Sequence, residues 1–383
     1  MTISLSRRGA VEPFHAMDVL AGANRLRDLG HDVISMAVGQ PSDPAPRAVR
    51  EAAAQALTGG RIGYTDALGL SGLREAIPAH YREHYGIEVP AARIAVTTGS
   101  SAAFNLAFLA MFDAGDRVAV AAPGYPAYRN ILAALGVEVV EIELHGAGHL
   151  TAAHLAEAHR RAPLKGVLFA SPANPTGAVI PAAELAELIG TAASLGIAAI
   201  SDEIYHRLAY SAPDTTALSF SNEVTVINSF SKYYCMTGWR IGWMVLPEPL
   251  VRAVERIGQS LYISPPELSQ IAAIAAFGAT EALEAVKDRY RSNRELLMRR
   301  LPELGFRLAA PMDGAFYAYC DVSGLTNDSM EFARRMLAES HVAATPGRDF
   351  DPFEGHRFMR FSYAGSLDEM VEATDRIGRW LGR

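Results

Sequence analysis

Residues 166–205 read GVLFASPANPTGAVIPAAELAELIGTAASLGIAAISDEIY, and they indicate the fold class more clearly than any other stretch. An apolar run at 166–170 is followed by a helical pattern at 182–195 and by a second apolar run at 198–201. Short continuous apolar runs are typical of strands that are buried on both faces of a sheet. The stretch therefore predicts a strand, a crossover helix and a second, parallel strand.

The same alternation extends from about residue 46 to residue 245 and predicts an α/β fold. Helical patterns separate most of the strands, so we expect a mostly parallel sheet covered by helices on both faces. Binding sites in such sheets lie beyond the carboxyl ends of the strands. The other predicted strands of this sheet lie at 93–97, 117–121, 137–142, 224–228 and 241–245.

A smaller α+β domain is predicted from the remaining sequence. The first 45 residues contain a helical pattern at 17–29 and are expected to join this smaller domain rather than the large sheet. We therefore place the large, cofactor-binding domain at 46–285 and the small C-terminal domain at 286–383. Beyond residue 265 the predicted elements are two helices within 267–300, a strand at 312–319, a helix at 328–340, a strand at 356–362 and a helix from 366.

The composition argues against several classes of protein. The formal charge is −7 and no basic run is present, so no nucleic-acid partner is expected. Because the sequence has neither a long apolar run nor the apolar core of a secretory signal, we expect a cytoplasmic protein without a membrane partner. Only Cys235 and Cys320 are present, so no disulfide framework and no metal site are predicted.

Lysine is scarce in this sequence, so each lysine can be considered in turn as a candidate site residue. Among 35 basic residues apart from histidine there are three lysines, Lys165, Lys232 and Lys287. Lys165 precedes a predicted strand and Lys287 lies in a heavily charged helical pattern, and both positions are typical of a solvated surface. Lys232 alone directly follows a predicted strand, at the edge of the sheet where a site is expected.

The surroundings of Lys232 suggest a specific cofactor. Residues 228–243 read NSFSKYYCMTGWRIGW, which places Ser229, Ser231 and Arg240 near the amine in sequence. A primary amine can form a Schiff base with an aldehyde, and hydroxyl and guanidinium groups can hold a phosphate. Pyridoxal phosphate carries both an aldehyde and a phosphate, so this segment predicts a pyridoxal-phosphate site.

A second segment is suited to the phosphate of the same cofactor. Residues 97–104 read TTGSSAAF, which places Ser100 and Ser101 after a strand and at the start of a helix. The first backbone N–H groups of a helix have no partner within the helix and lie at its positive end, where they favour a phosphate.

Two further loops carry groups suited to the pyridine ring. In SPANPTGAVI, residues 171–180, two prolines and a glycine fix the backbone around Asn174. In AAISDEIY, residues 198–205, an apolar strand ends in Asp202, with Tyr205 three residues later. A carboxylate near the pyridine nitrogen would keep it protonated, and the amide and the phenol can both reach the ring hydroxyl.

With these segments assembled, the chain resembles the fold-type-I, pyridoxal-phosphate-dependent aminotransferases of the aspartate-aminotransferase superfamily. The resemblance covers nearly the whole length and rests on NPTG (174–177), SDEIY (201–205), SKYYCMTGWRIGW (231–243) and RFSYA (360–364). It implies an enzyme that moves an amino group from an L-amino acid to a 2-oxo acid by a ping-pong mechanism.

The resemblance also assigns roles to individual residues. Lys232 would form the Schiff base with the cofactor and shuttle the proton, and Asp202 would pair with the pyridine nitrogen. Tyr205 and Asn174 would contact the ring hydroxyl, and Tyr125 would stack on the ring. The phosphate would be held by Ser229, Arg240 and the backbone N–H groups of Ser100 and Ser101.

Three more positions follow from the resemblance. Arg360 would grip the α-carboxylate of the substrate through two parallel hydrogen bonds, with Gly39 nearby. Tyr64 would reach the cofactor phosphate of a neighbouring subunit, which implies a homodimer with shared sites.

The donor is expected to be neutral or aromatic. Aspartate-using relatives of the closest branch often carry a lysine where this chain has Ser101, and a small hydroxyl residue where it has Phe14. Aspartate aminotransferase activity and a carbon–sulfur β-lyase activity are the alternatives. A distal carboxylate could still be served by an arginine of a partner chain or by Arg129, His15 or His206.

Overall fold

The computed structural model describes residues 3–144 and 148–383, and within this part the strands form two separate sheets. The strands are β1 (Ile34–Met36), β2 (Ile94–Thr97), β3 (Arg117–Ala122), β4 (Glu138–Glu143), β5 (Gly166–Ala170), β6 (Ala198–Asp202), β7 (Thr225–Ser229), β8 (Gly242–Val245), β9 (Arg307–Leu308), β10 (Tyr317–Asp321), β11 (Val342–Pro346) and β12 (Phe358–Ser362).

Helices connect most of the strands. The α-helices are α1 (His15–Asp28), α2 (Arg47–Gly59), α3 (Ser71–Tyr85), α4 (Gly99–Met111), α5 (Pro126–Leu135), α6 (Ala152–Arg161), α7 (Ala182–Ser194), α8 (Glu248–Leu261), α9 (Glu267–Ala276), α10 (Thr280–Glu303), α11 (Ser329–Ser340) and α12 (Leu367–Leu381). Within the described residues, no helix is both long enough and apolar enough to span a bilayer.

The large sheet has the strand order β2-β8-β7-β6-β5-β3-β4. All its neighbouring pairs are parallel except those of β8, which runs antiparallel to both β2 and β7. Each predicted strand of this sheet agrees with the structure to within one residue at either end. The predicted α/β class with a mostly parallel large sheet is therefore confirmed.

Alternate residues of the central strands enter two different hydrophobic cores. On β5, Val167 and Phe169 belong to one core, whereas Leu168 belongs to the other. On β6, Ala199 and Ile200 divide in the same way. This burial on both faces explains why the strands are continuously apolar and shows that helices cover both sides of the sheet.

The smaller sheet has the order β1-β11-β12-β10-β9. Its first strand, β1, comes from the N-terminal segment and pairs in parallel with β11. The division of the chain near residue 285 stays a prediction, and α10 runs through that position.

The structure corrects the prediction for several strands of the smaller sheet. The strand predicted at 312–319 begins only at Tyr317, because Met312 and Ala315 have positive φ angles that are incompatible with an extended strand. The strands β1, β9 and β11 were not predicted; β1 and β9 have three and two residues, and β11, with the sequence VAATP, contains alanines and a proline, which are poor strand formers.

Candidate active site

A cavity of about 190 Å³ lies where the carboxyl ends of the large-sheet strands meet the smaller sheet and the N-terminal segment. The loops that follow β2, β3, β5, β6 and β7 all contribute to its wall, as expected for a mostly parallel sheet. The predicted site residues that line the cavity are Gly39, Ser100, Ser101, Tyr125, Asn174, Tyr205, Lys232, Arg240 and Arg360.

Lys232 is the lysine that reaches this cavity. Its Nζ donates a hydrogen bond of 2.6 Å to the carbonyl oxygen of Gly39. Burial, together with the positive charges of Arg360 and Arg240, lowers the pKa of Lys232 to about 8. An amine with this pKa is partly unprotonated near neutral pH, so it can act both as a nucleophile and as a proton carrier.

Asp202 lies at the end of β6, beneath the cavity wall. Its Oδ1 accepts a hydrogen bond of 3.1 Å from the backbone N–H of Ile204, and its Oδ2 accepts one from the hydroxyl of Tyr128, which lines the cavity. Burial raises the pKa of Asp202 to about 6, while the hydrogen bonds oppose this rise. The carboxylate is therefore still ionised at pH 7 and can stabilise a nearby cation.

Arg360 is buried and held by groups from several parts of the chain. It lies on β12, where its Nη1 donates to Asn174 Oδ1 at 2.8 Å and its Nη2 donates to the carbonyl oxygen of Ala37. Its guanidinium carbon lies 4.3 Å from the ring centre of Tyr317 and 4.5 Å from that of Phe350. The Nε atom is buried without a hydrogen-bond partner in the described structure. The guanidinium is thus fixed in place and has a donor left for a ligand.

The other end of the cavity carries groups suited to a phosphate. Helix α4 begins at Gly99, and Ser100 and Ser101 form its first turn at the cavity wall. Gly99 has a φ of +72°, and a Cβ at this position would lie 2.5 Å from a guanidinium nitrogen of Arg240. Glycine therefore lets Arg240 approach the positive end of the helix, an arrangement of donors and positive charge that is suited to an anion.

Besides Asp202, two of the predicted cofactor residues, Ser229 and Tyr64, lie outside the cavity wall. Ser229 is buried, and its Oγ lies 2.9 Å from Ser231 Oγ and 3.2 Å from the carbonyl oxygen of Ile241. Ser231 lines the cavity in front of it. Tyr64 does not line the cavity, and the residue is 80% exposed.

Several residues of the wall were not predicted as site residues. Tyr317 is the clearest case, because its hydroxyl lies 2.6 Å from that of Tyr205. Its sequence context, GAFYAY, contains no motif, and only the pairing of β10 with β12 brings it beside Arg360. The other unpredicted wall residues are Phe14, Ala16, Met17, Val38, Tyr128, Ile204, Ser231 and Thr237.

Three alternative cations for a distal carboxylate lie outside the cavity wall. Arg129 donates to the carbonyl oxygen of Asp349 at 2.6 Å and lies 3.8 Å from Glu141. His206 Nδ1 lies 2.7 Å from the hydroxyl of Tyr85. His15 Nδ1 lies 3.7 Å from the carboxylate of Asp18. Among the described wall residues, the lysines and arginines are Lys232, Arg240 and Arg360.

Comparison with known proteins places this site in a family. The family model for aminotransferase class I and II matches residues 31–377. The chain is 50% identical to a valine–pyruvate aminotransferase of Mycobacterium tuberculosis, covering 100% of this chain and 99% of that protein. It is 35% identical to an aspartate/prephenate aminotransferase of Thermus thermophilus, with 99% of both chains covered.

A solved structure agrees with these relatives. The crystal structure of an aminotransferase from Mycobacterium tuberculosis matches with a TM-score of 0.95 and 49% identity, covering 100% of both chains. The match extends over the large sheet, the smaller sheet and the cavity between them. The resemblance inferred from the sequence is confirmed: the chain belongs to the class I and II aminotransferases and is an aminotransferase.

Proposed function

We propose that the protein binds pyridoxal 5'-phosphate and moves an amino group from a neutral L-amino acid to a 2-oxo acid by a ping-pong mechanism. The observation that carries this proposal is the composition of one cavity. It holds a lysine of lowered pKa together with two arginines, Arg240 and Arg360, that lie on different elements. The cofactor phosphate and the substrate carboxylate are both anions, so Arg240 would bind the first and Arg360 the second.

The donor set fits the cofactor group by group. The first turn of α4 with Arg240 would hold the phosphate, and Ser229 would support Ser231 from behind. Lys232 would link to the aldehyde, and Asp202 would face the pyridine nitrogen. The unpartnered Nε of Arg360 supports a carboxylate nearby, because a buried donor without a partner is costly.

When bound, pyridoxal phosphate supplies an aldehyde for the amino group and a protonated ring that withdraws electrons from the substrate's α-carbon. The chain's own part is to orient the substrate and to move protons. Lys232 Nζ would take the proton from the substrate's α-carbon and deliver it to the carbon that was the aldehyde carbon of the cofactor. Asp202 would hold the ring cation, and Tyr205 and Asn174 would hydrogen-bond to the ring hydroxyl. Tyr125 would pack on the ring face.

The pH dependence of cofactor attachment follows from the lowered pKa of Lys232. Only the unprotonated amine attacks an aldehyde, so the rate at which apoprotein takes up pyridoxal phosphate should rise as pH increases through about 8. Stopped-flow absorbance between pH 6.5 and 10.5 would measure it, with free lysine as the control. A midpoint near the ordinary value of 10.5 would contradict the role of burial in activating this amine.

An apolar donor side chain is favoured by the part of the wall that carries no charge. Phe14, Met17, Val38 and Ile204 line the cavity, and Phe14 packs edge-on against Tyr125 with ring centres 5.8 Å apart. A distal carboxylate would be buried beside these groups without a cation of its own, which is costly. The name of the relative that is 50% identical supports valine as donor and pyruvate as acceptor.

A product assay tests both the reaction and the donor. Enzyme is mixed with valine without an acceptor, at an enzyme concentration high enough for one equivalent of product to be measured. It should release about one equivalent of 2-oxo acid per site and then stop. Addition of pyruvate should restart turnover and yield alanine. We expect kcat/KM to be at least about tenfold higher for valine than for aspartate, because the distal carboxylate of bound aspartate would be buried without a charge-assisted hydrogen bond. A preference for aspartate would refute the donor class. Ammonia and pyruvate released from a cysteine conjugate would instead indicate a β-lyase.

We propose a homodimer in which Tyr64 completes the phosphate site of the other subunit. The exposure of Tyr64, together with that of Ile62 and Leu57 nearby in sequence, supports an interface in this region. The cytoplasmic location expected from the sequence stays a prediction.

A further inference from the structure

Tyr317 contacts residues on both sides of the cavity. It is buried on β10 of the smaller sheet, and its hydroxyl lies 2.6 Å from the hydroxyl of Tyr205, which follows the large-sheet strand β6. Its ring lies under the guanidinium of Arg360 at 4.3 Å. One side chain therefore contacts both the candidate carboxylate site and a candidate cofactor ligand.

The N-terminal segment passes close to the hydroxyl of Tyr317 at Gly39. A Cβ on Gly39 would lie 1.6 Å from Tyr317 Oη, so only glycine allows the chain to pass at this point. The carbonyl oxygen of Gly39 accepts the hydrogen bond from Lys232 Nζ. Tyr317 thus contacts Arg360, Tyr205 and the segment that holds the lysine.

We propose that Tyr317 is a positioning residue that orients both the carboxylate-binding arginine and the cofactor-binding tyrosine. This inference rests on the proposed function, in which Tyr205 contacts the ring hydroxyl of the cofactor. The flat ring restricts the rotation of the Arg360 guanidinium, and the hydroxyl fixes the direction of the Tyr205 hydroxyl. The ring of Tyr317 therefore acts on Arg360, and its hydroxyl acts on Tyr205.

The effects of the hydroxyl and of the ring can be separated by comparing two variants. Tyr317→Phe removes the hydrogen bond to Tyr205 and keeps the ring against Arg360. Tyr317→Leu removes both. Tyr319→Phe is the matched control, since Tyr319 is buried on the same strand and its hydroxyl has no partner in the described structure. All variants are prepared with pyridoxal phosphate, and thermal unfolding verifies that they fold.

Two readouts other than turnover separate the roles. The first is the pH midpoint of the visible absorption of the bound cofactor, which reports on the ring hydroxyl and its partners. The second is the dissociation constant of 3-methylbutanoate, a carboxylate with the carbon skeleton of valine. Tyr317→Phe should shift the midpoint by about half a pH unit or more and leave the dissociation constant within about twofold. Tyr317→Leu should shift the midpoint similarly and weaken 3-methylbutanoate about fivefold.

A double mutant shows whether Tyr205 transmits the effect. In the Tyr205→Phe background, Tyr317→Phe should cause no further shift of the midpoint, because the hydrogen bond is already absent. An equal shift in both backgrounds, or a Tyr317→Phe midpoint equal to that of Tyr319→Phe, would overturn the positioning role of Tyr317 toward Tyr205 while leaving the proposed function intact. Wild-type protein without any visible band after incubation with pyridoxal phosphate would overturn both.

Discussion

Replacing Lys232 by alanine is expected to lower turnover at least about a thousandfold, because the same amine serves as nucleophile and as proton carrier. Lys232→Arg should be as inactive as Lys232→Ala. Arginine keeps the positive charge, but its guanidinium does not lose its proton at any working pH. The measurement is kcat for the transfer from valine to pyruvate, with protein fully incubated with pyridoxal phosphate.

Lys165→Ala is the matched control, because Lys165 is exposed and lies outside the cavity. It should retain kcat within about twofold, as is usual for surface substitutions. If Lys232→Arg kept a tenth or more of the wild-type rate, the positive charge rather than the transferable proton would be what the site needs. That outcome would contradict the role assigned to Lys232.

Replacing Arg360 by leucine is expected to lower kcat/KM for valine by about a hundredfold to ten-thousandfold. The estimate follows from two charge-assisted hydrogen bonds to the carboxylate at about 1.5 to 3 kcal/mol each, with tenfold for every 1.4 kcal/mol. Arg360→Lys should recover only part of this loss, because an ammonium cannot make two parallel bonds in one plane.

The amine 2-methylpropylamine, which is valine without its carboxylate, separates carboxylate binding from general damage. It should react slowly and about equally with wild type and with Arg360→Leu. Arg357→Leu, on a partly exposed arginine just before β12, should leave valine turnover nearly unchanged. A loss of the same size for valine and for the amine would show that Arg360 acts through the fold and not through the carboxylate.

The sequence predicts the large sheet closely because the local signal there is strong. Residues such as Val167, Leu168 and Phe169 face two cores in turn, so a strand buried on both sides is apolar at every position. The strands of the smaller sheet are harder to predict from the sequence. Its strand β11 is short, and β10 begins only after two residues with positive φ, neither of which leaves a periodic pattern.

The same contrast holds for the site. Lys232 and Asn174 lie in loops that follow parallel strands, and Asp202 is the last residue of such a strand, so their sequence context locates them at one edge of the sheet. Tyr317 depends on the pairing of β10 with β12 and on the approach of the smaller sheet to the cavity, which are contacts between residues far apart in sequence. The shape of the apolar wall likewise arises only when α1 and residue 38 fold over the cavity.

The most direct test of the central claim is to find the residue that carries the cofactor. Protein incubated with pyridoxal phosphate is reduced with borohydride, digested and analysed by mass spectrometry. The added mass is predicted on the peptide that contains Lys232 and should be absent from Lys232→Ala. Added mass on Lys165 or Lys287 with none on Lys232, or no added mass anywhere, would contradict the claim.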